Sequence, residues 1–351
     1  MTNLSLVNSM QYEKRFSEFF ESSNESYFQQ SPQWKNVIES FGKDKWVCPM
    51  VLENKKVIGV IPLYLYKSKL GNIINSVPYP GPLGGVIINS DSKTKKEKIF
   101  KLLMHQVDKI STQFDVVTTT IISSPFWPDD NLYRKHWRPN YELENYTLYI
   151  DLTKPQKTKS KFRNNLRRML SKAESSKLKV AESSKITDLN SWYKIHQKRH
   201  LEIGVDPIHK QVFSESLNHL IPTSKGKFLY VKDDKNKIVA GCFVASHNQV
   251  VDTYMISGNS HIHQNGAIYL LIDHLLNWSK NSGFKYFNWQ SSKPRGSGPY
   301  KFKMQWGSKE APYYFFTKTY QPIDKFLGAG LDKIKKEYKW HFVLPFNLLD
   351  K

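Results

Sequence analysis

Positively charged and aromatic side chains alternate in one glycine-rich segment of the sequence, residues 288–307. Lysine and arginine in such a segment can bind phosphate or stabilise negative charge that develops on an oxygen, and glycine lets the backbone approach a ligand closely. Two other interpretations stay open: a basic loop on a segment packed in the core, and stacking of a single-stranded nucleic acid on the aromatic rings. The cations are Lys293, Arg295, Lys301 and Lys303, and the aromatic residues that follow the glycine-rich loop are Tyr300, Phe302 and Trp306.

If residues 300–303 are extended, their side chains alternate between two faces of the segment. Phe302 would then anchor the segment in the core while Lys301 and Lys303 point to the other side. The alternative is that both lysines are simply solvated. The pattern alone does not choose between them.

A second group of cations follows a change in composition near the middle of the chain. Between Lys154 and Lys179 the sequence has ten Lys and Arg residues and one Glu. If residues 161–173 are helical, four apolar residues form one stripe, with Arg163 and Arg167 beside it. Arginine grips phosphate oxygens bidentately, so this segment predicts phosphate capture, with a solvated surface helix as the alternative. The stripe consists of Phe162, Leu166, Met169 and Ala173.

A loop of small and polar residues is predicted to open a helix over residues 266–281. The first turn of a helix presents unpaired N–H groups and a positive dipole end, which suit an anion. The residues concerned are Gln264, Asn265, Gly266 and Ala267. No metal is expected, because neither histidine pair has a third ligand nearby; the pairs are His261 with His263 and His196 with His200.

The elements that would position these residues alternate between helix and strand. The periodicity predicts a mixed α/β fold in which both halves run helix, hairpin, strand, helix, strand. We therefore predict two related modules, at residues 1–150 and 151–322, and a basic amphipathic tail at 323–351. The predicted strands cover 46–52, 56–65, 116–122, 142–152, 228–232, 237–246, 250–257, 286–290 and 313–319, and the predicted helices include 99–114, 189–200 and 266–281.

The composition favours an anionic partner and a folded protein. The net charge is +21, while hydrophobic residues make up 39% and aromatic residues 14% of the chain; such a charge suits phosphates, nucleic acid or an acidic membrane face. The two cysteines, Cys48 and Cys242, lie in apolar runs and are expected to be buried. Neither a signal peptide nor a spanning helix is visible, so a cytoplasmic location is expected. For the tail we expect a docked helix, with contact to the inner membrane face as the alternative.

Five motifs in order resemble the Fem-like members of the GNAT N-acyltransferase superfamily, which resemble the enzymes that add amino acids to peptidoglycan precursors. The resemblance covers roughly residues 28–319. The segment 297–307 resembles the GxYxFKxxWG signature. The other matches are Gln30–Trp34 with QSPxW, residues 59–63 and 79–83 with GVLPL and GPL, residues 161–168 with the RNxxRKA helix, and Arg199 to Pro207 with RxGxP.

The resemblance implies tandem GNAT-like modules and transfer of an acyl or aminoacyl group to an amine. It implies Lys303 as the catalytic residue, near the transferring group. Arg163 and Arg167 match the helix that borders the acceptor site and suit a diphosphate. Further substrate-binding candidates are Arg199, Tyr254, Gln290, Tyr300 and Phe302, and the candidates for donor phosphate are Gln264, Asn265, Gly266 and Ala267.

The expected function is an acyltransferase of cell-envelope synthesis, in peptidoglycan or polysaccharide biosynthesis. The acceptor would be an amine on a nucleotide-sugar or lipid-linked precursor, and the donor an acyl-CoA or an aminoacyl-tRNA. The GNAT pyrophosphate motif is only faintly present at residues 264–267, and the helical arm that some Fem proteins carry is missing between residues 189 and 229. Two alternatives stay open: an acyl-CoA-dependent N-acyltransferase acting on an amino sugar or small amine, and a non-catalytic module that binds nucleic acid or membrane.

Overall fold

The computed structural model describes residues 5–7, 13–79, 81–154, 164–259 and 266–348. The chain divides into two compact units: unit 1 comprises Met1–Tyr146 and Pro312–Lys351, and unit 2 comprises Thr147–Ala311. Each unit combines helices with β-sheet, so the predicted mixed α/β fold is confirmed. The tail that the sequence sets apart after residue 322 lies in unit 1, together with the preceding strand residues from Pro312.

Unit 1 begins with short strands that form parts of two sheets. In one sheet the order is β1-β3-β4-β7; in the other, β8 pairs with β6 in parallel and β6, β5 and β2 follow in antiparallel order. The strands are β1 (Ser5–Val7), β2 (Asp44–Val47), β3 (Met50–Glu53), β4 (Lys56–Val60), β5 (Leu63–Tyr66), β6 (Asn72–Asn75), β7 (Ile87–Ile88) and β8 (Val116–Ile122). The helices are α1 (Glu13–Ser22), α2 (Pro32–Glu39), α3 (Lys93–Gln113) and α4 (Asp130–Leu132).

The strands predicted at residues 46–52 and 56–65 are each two shorter strands in the structure, so the predicted boundaries are corrected here. Pro49 separates β2 from β3, and Pro62 separates β4 from β5. Proline has no N–H to donate to a ladder, so pairing stops at each. The chain changes sheet at these points, because β3 pairs with β4 while β2 pairs with β5. The predicted hairpin turn is confirmed, and Asn54 and Lys55 both have positive φ, 49° and 66°, as a tight hairpin turn requires.

Helix α3 provides the main apolar face of unit 1. Its buried residues recur at helical spacing and pack beside β8, all seven residues of which are buried. The prediction of an amphipathic helix at 99–114 and a buried strand at 116–122 is therefore confirmed. The buried α3 residues are Ile99, Phe100, Leu103, Met104, Val107 and Ile110.

The glutamines near the start of α2 hold a glycine-rich loop. Gln29 Nε2 donates to the carbonyl of Gly81 at 2.9 Å, and Gln30 Nε2 donates to that of Gly85 at 2.9 Å. Both glutamines are buried, so their amides satisfy backbone groups that water does not reach. A glutamine of the QSPxW motif and the glutamine just before it thus hold the loop that contains the GPL motif.

Unit 2 is built on a sheet with helices packed against it. The strand order is β10-β11-β12-β13-β14-β9, antiparallel except for β13 and β14. The strands are β9 (Tyr141–Asp151), β10 (Lys179–Glu182), β11 (Gly226–Lys232), β12 (Ile238–His247), β13 (Val250–Gly258) and β14 (Tyr286–Gln290). The helices are α5 (Asn164–Ser175), α6 (Ile186–Glu202), α7 (Lys210–His219), α8 (Ala267–Asn281) and α9 (Gly298–Met304).

The polypeptide returns from unit 2 to unit 1 through β15 (Lys309–Thr319), whose later residues pair with β8. Two short helices follow, α10 (Ile323–Leu327) and α11 (Leu331–Glu337). Their apolar residues Phe326, Ile334 and Tyr338 are buried in one cluster with residues of β6 and β8. The tail is therefore docked on the core of unit 1. Within the described residues, no helix has both the length and the apolar character that crossing a bilayer requires.

Candidate active site

The segment that carries Lys303 is helical, so the extended conformation considered for residues 300–303 is not the one found. Helix α9 begins at Gly298, with Ser297 as N-cap and Pro299 in the first turn. Ser297 Oγ accepts a hydrogen bond from Tyr300 N at 3.3 Å. Serine at the N-cap followed by proline in the first turn is a helix-start signal, and it prevails here over the alternating pattern. Lys301 is exposed, whereas Lys303 is half-buried.

Lys303 points its ammonium group at two backbone carbonyls. Its Nζ donates to the Trp289 oxygen at 2.6 Å and to the Gln290 oxygen at 3.3 Å. Both carbonyls belong to the last two residues of β14. Ser308 Oγ also donates to the Lys303 carbonyl at 2.7 Å, which fixes the C-terminal end of α9.

The end of β14 is irregular at this point. β13 and β14 pair in parallel only as far as Asp252 and Asn288, and the β14–β9 register shifts between Asn288 and Gln290. Gln290 has a φ of 67°, a conformation that is uncommon for residues other than glycine and that clusters at functional sites. The shift explains why the carbonyls of residues 289 and 290 are available to Lys303.

A buried polar network lies beside these carbonyls. Asp252 and Asn288 are 1% and 0% exposed; Asn288 Nδ2 donates to Asp252 Oδ2 at 3.0 Å, and the Gln290 side-chain amide donates to Asp252 Oδ1. Thr253 Oγ1 donates to the Asn288 carbonyl at 2.9 Å, and Thr147 Oγ1 donates to Asn288 Oδ1. A buried carboxylate is costly unless it is hydrogen-bonded, and here the neighbouring amides meet that need.

Burial lowers the pKa of Lys303 to about 7, although the negative charge of Asp252 opposes the shift. Removing an ammonium group from water disfavours its charged form. A lysine with a pKa near 7 can hold or release a proton at neutral pH, which is what a general acid or base needs. When neutral, its two N–H groups can serve the two carbonyls while the nitrogen lone pair remains for a substrate.

Aromatic rings pack around the same helix. Phe302 lies 5.3 Å from Tyr269 and 6.4 Å from Trp306, between ring centroids, and Trp289 lies 6.4 Å from Phe302. Trp289 is 2% exposed and Trp306 is 3% exposed. These rings cover the end of β14 and contribute to the burial that desolvates Lys303.

Helix α5 adjoins this aromatic cluster through Tyr269 of α8. Burial raises the pKa of Tyr269, while a hydrogen bond with Asn165 and the charge of Arg168 oppose the shift. Tyr269 thus joins the basic helix to Phe302 and Trp306. Leu166, Met169 and Ala173 are buried, as the predicted stripe requires, and its fourth member, Phe162, lies outside the described residues.

The remaining predicted site residues fall into three groups. Arg163, Gln264 and Asn265 lie outside the described residues. Arg167 on α5 is exposed, and Arg199 on α6 pairs with Glu202 at 3.4 Å. Tyr254 lies two residues after Asp252 on β13, is buried and has its ring 5.8 Å from that of Phe243.

Gly266 and Ala267, at the start of α8, are buried against α5. A Cβ on Gly266 would lie 2.6 Å from the Met169 carbonyl oxygen and 2.8 Å from the Cβ of Ala173. Gly266 has a φ of 80°, so both the conformation and the close helix contact require glycine. The contact with α5 therefore explains why residue 266 is glycine. Binding of the donor phosphate by Gly266 and Ala267 stays a prediction.

Tyr300 and Arg295 share one partner. Arg295 Nε and Nη2 donate to Glu310 at 2.9 Å each, and the pKa of Glu310 is lowered by Arg295, with a hydrogen bond from Tyr300 acting in the same direction. Arg295, one of the candidate phosphate-binding cations, therefore pairs with a carboxylate that secures the loop before α9.

Sequence reasoning missed Asp252, Asn288 and Tyr269. The available signal was a polar residue within an otherwise apolar strand, as in Val250–Tyr254 and Tyr286–Trp289, because buried polar residues need a structural or functional reason. Within the described ranges, no group of three or more His, Cys, Asp or Glu residues is placed to hold a metal ion. Both cysteines are buried, as predicted.

Comparison with known proteins agrees with this architecture. Residues 160–304 match the family model of the acetyltransferase (GNAT) domain, a range that includes α5, β13, β14 and α9. Unit 2 carries a GNAT domain. The crystal structure of FemX is similar over 88% of this chain and 97% of that chain, with a TM-score of 0.71 at 11% identity. The chain shares the FemX fold over this range.

Two further solved structures share the fold. L-PGS from Bacillus licheniformis has a TM-score of 0.59 at 12% identity, over 91% of this chain and 96% of that chain. A tandem GNAT protein from the clavulanic acid biosynthesis pathway has a TM-score of 0.50 at 8% identity, over 91% of this chain and 99% of that chain. The prediction of tandem GNAT-like modules is thereby confirmed. No curated protein sequence matches the chain significantly.

Proposed function

We propose that this Fem-like GNAT protein transfers an acyl or aminoacyl group to an amine, with Lys303 at the reaction centre. The observation that carries the proposal is the Lys303 amine, held on two carbonyls with its pKa lowered to about 7, inside the GNAT domain. A solvated lysine titrates about three units higher. Such a shift at a site with a strained backbone is typical of a catalytic group.

In the proposed reaction, the nitrogen of the acceptor amine attacks the carbonyl carbon of the donor. The amine proton passes to neutral Lys303 Nζ, and the resulting cation stabilises the tetrahedral oxyanion. When the bond to the leaving group breaks, the same proton passes to the leaving thiolate or alkoxide, and Lys303 returns to its neutral form. One residue thus provides proton transfer and charge stabilisation in sequence.

We infer an acceptor that carries phosphate, such as a nucleotide-sugar or lipid-linked envelope precursor. The support is the net charge of +21 and the basic helix α5, which adjoins the aromatic cluster through Tyr269. Arg167 and Arg168 are exposed on this helix. Arginines on a helix next to the reaction centre suit the diphosphate of such a precursor.

The donor is either an acyl-CoA or an aminoacyl-tRNA. The match to an acetyltransferase family model supports acyl-CoA, and the resemblance to Fem proteins supports aminoacyl-tRNA. An acyl-CoA donor with a small amine or amino sugar as acceptor is the second candidate function.

The test is a screen of donors and acceptors with detection of product mass. Acyl-CoAs and charged tRNAs are each incubated with the protein and with amine acceptors that have or lack a diphosphate. The proposal expects acyl transfer that Lys303→Met reduces and Lys301→Met does not. Product that forms equally well with Lys303→Met would remove Lys303 from the mechanism, and binding of nucleic acid without any product would favour the non-catalytic alternative.

A further inference from the structure

Exposed large hydrophobic residues are concentrated at one end of α6. Among the described residues five are exposed, and three of them follow one another in the segment 201–205: Leu201 at 68%, Ile203 at 50% and Val205 at 52%. We name this segment the apolar tip. The other two, Ile186 and Met304, lie singly. Single exposed apolar residues are common on proteins, whereas a contiguous group marks an interaction surface.

The apolar tip is held by a defined backbone structure. Gly204 has a φ of 69°, Val205 N donates to the His200 carbonyl at 2.9 Å, and Gly204 N donates to that of Leu201 at 3.1 Å. These are the two hydrogen bonds of a Schellman helix end. In that motif an apolar residue after the glycine usually packs on the helix, but here it faces solvent. The backbone therefore presents aliphatic side chains in a fixed arrangement.

Lysines lie next to the apolar tip on the same helix face. Lys194, Lys198 and Leu201 are spaced by four and three residues and so form one stripe along α6. At 1.5 Å per residue, Lys198 lies about 5 Å and Lys194 about 10 Å behind Leu201 along the helix axis. All three are exposed. The negative charge of Glu202 at the tip is paired with Arg199 at 3.4 Å.

We propose that the apolar tip inserts into the surface of an anionic lipid bilayer, with Lys194 and Lys198 on the lipid phosphates. Aliphatic residues at the tip would enter the boundary between headgroups and acyl chains, while the lysine stems lie alongside and their ammonium groups reach the phosphates. The vertical offset of about 5–10 Å matches the depth to which peripheral elements insert, about 5–10 Å. Aliphatic residues with cations behind them match a bilayer surface, in which anionic headgroups cover an apolar interior.

This surface assigns membrane contact to unit 2, in place of the C-terminal tail. In the tail, the side chains of Tyr338 and Ile334 are 2% and 0% exposed. Both are packed in the core of unit 1 and do not face a membrane surface. The inference does not rest on the proposed reaction. If the acceptor is lipid-linked, the apolar tip would bring unit 2 to the surface on which that acceptor is located.

The test places an environment-sensitive fluorophore on the tip. Ile203→Cys is labelled, with Ile186→Cys at the opposite end of α6 as the matched control; the two native cysteines are buried. Vesicles of phosphatidylglycerol and phosphatidylcholine should shift the emission of the label at 203 to shorter wavelength and leave the label at 186 unchanged. Vesicles of phosphatidylcholine alone should give a much smaller shift.

Substitutions then separate the apolar and charged contributions. The triple variant Leu201→Ser, Ile203→Ser, Val205→Ser should weaken vesicle binding at least about tenfold, whereas Ile186→Ser should not. The double variant Lys194→Gln, Lys198→Gln should weaken vesicle binding roughly thirtyfold at low salt. The control double variant Lys98→Gln, Lys101→Gln removes two charges from an exposed face of α3 and should weaken vesicle binding less. These positions are exposed, so folding should be unaffected.

Three results would overturn the proposal. The first is a label at 203 whose emission does not change when anionic vesicles are added. The second is an emission shift that appears without vesicles and grows with protein concentration, because the tip would then contact a second copy of the chain. Equal binding to neutral and anionic vesicles would show that the lysines have no role. Acyl transfer to a soluble acceptor is measured separately, so either proposal can fail while the other stands.

Discussion

Gln290 connects the two charged groups of the candidate active site: its backbone carbonyl accepts a hydrogen bond from Lys303 Nζ at 3.3 Å, and its side-chain amide donates to Asp252. The φ of 67° at Gln290 is compatible with both contacts at once. The lysine of α9 and the carboxylate of β13 are thus coupled through one residue at the end of β14.

Lys303→Met should reduce the rate of acyl transfer by about 10²–10³, the typical effect of removing a group that stabilises an oxyanion. Lys301→Met, two residues earlier on the exposed side of α9, is the matched control and should retain most of the rate. The measurement is the single-turnover rate with the donor found in the screen. A similar loss in both variants would point to general damage of the helix.

Asp252→Asn should shift the acidic limb of the pH–rate profile to lower pH. The negative charge of Asp252 raises the pKa of Lys303 against the larger effect of burial, so its removal should lower that pKa further below about 7. The neutral form of the lysine would then persist to lower pH. Asp234→Asn, in an exposed turn, is the control and should leave the profile in place; a shift to higher pH in Asp252→Asn would contradict the assignment.

The effect of Lys303 on folding stability should depend on pH. Its folded pKa is about 7 and its ordinary value is 10.5, so between these values the unfolded chain binds a proton that the folded chain does not. Stability from this group therefore rises as pH increases from about 7 to 10.5. Below pH 7 the full cost of the buried charge is present.

Urea unfolding of wild type and Lys303→Met checks this. The free energy of unfolding of Lys303→Met, relative to wild type, should be most favourable at pH 6 and should decrease as the pH approaches 10. A difference that is constant over this range would show that Lys303 titrates normally in the folded protein.

Ile334→Ala in the tail should destabilise unit 1 by about 2–5 kcal/mol, as for other fully buried aliphatic residues. Ile334 is 0% exposed in the cluster that the tail forms with β6 and β8. Lys336→Ala, exposed on the same helix, should change the stability by less than about 0.5 kcal/mol. Thermal unfolding measures both, and equal stability of the two variants would mean that the tail is not part of the core.

The sequence predicts the parts of this fold that depend on local periodicity. The α3–β8 pair and the β11–β12 hairpin are found where apolar spacing indicates them, because one buried face determines each. Helix α7 was missed, and the strands divided by Pro49 and Pro62 were joined in the prediction. Whether a proline ends a strand depends on which neighbouring strand would accept its missing hydrogen bond. The neighbouring strand is set by the tertiary structure, which local sequence patterns do not reveal.

The candidate site was predicted only in part, for a similar reason. The resemblance implies Lys303 as the catalytic residue and Gln290 as a substrate-binding candidate, and the alternation of lysines with aromatic residues leaves the backbone conformation around Lys303 open. The local signal at Ser297 and Pro299 favours the helix that is found. Asp252 and Asn288 are distant from Lys303 in sequence, and only the pairing of β13 with β14 brings them together.

Titration of Lys303 in the folded protein tests directly whether its amine is neutral near pH 7, as the proposed reaction requires. The lysine side-chain resonances are followed by NMR as a function of pH, and Lys303 is assigned by its absence in Lys303→Met. We predict that Lys303 titrates near pH 7. If every lysine, Lys303 included, titrates near its ordinary value, Lys303 is not the neutral amine that the proposed reaction requires.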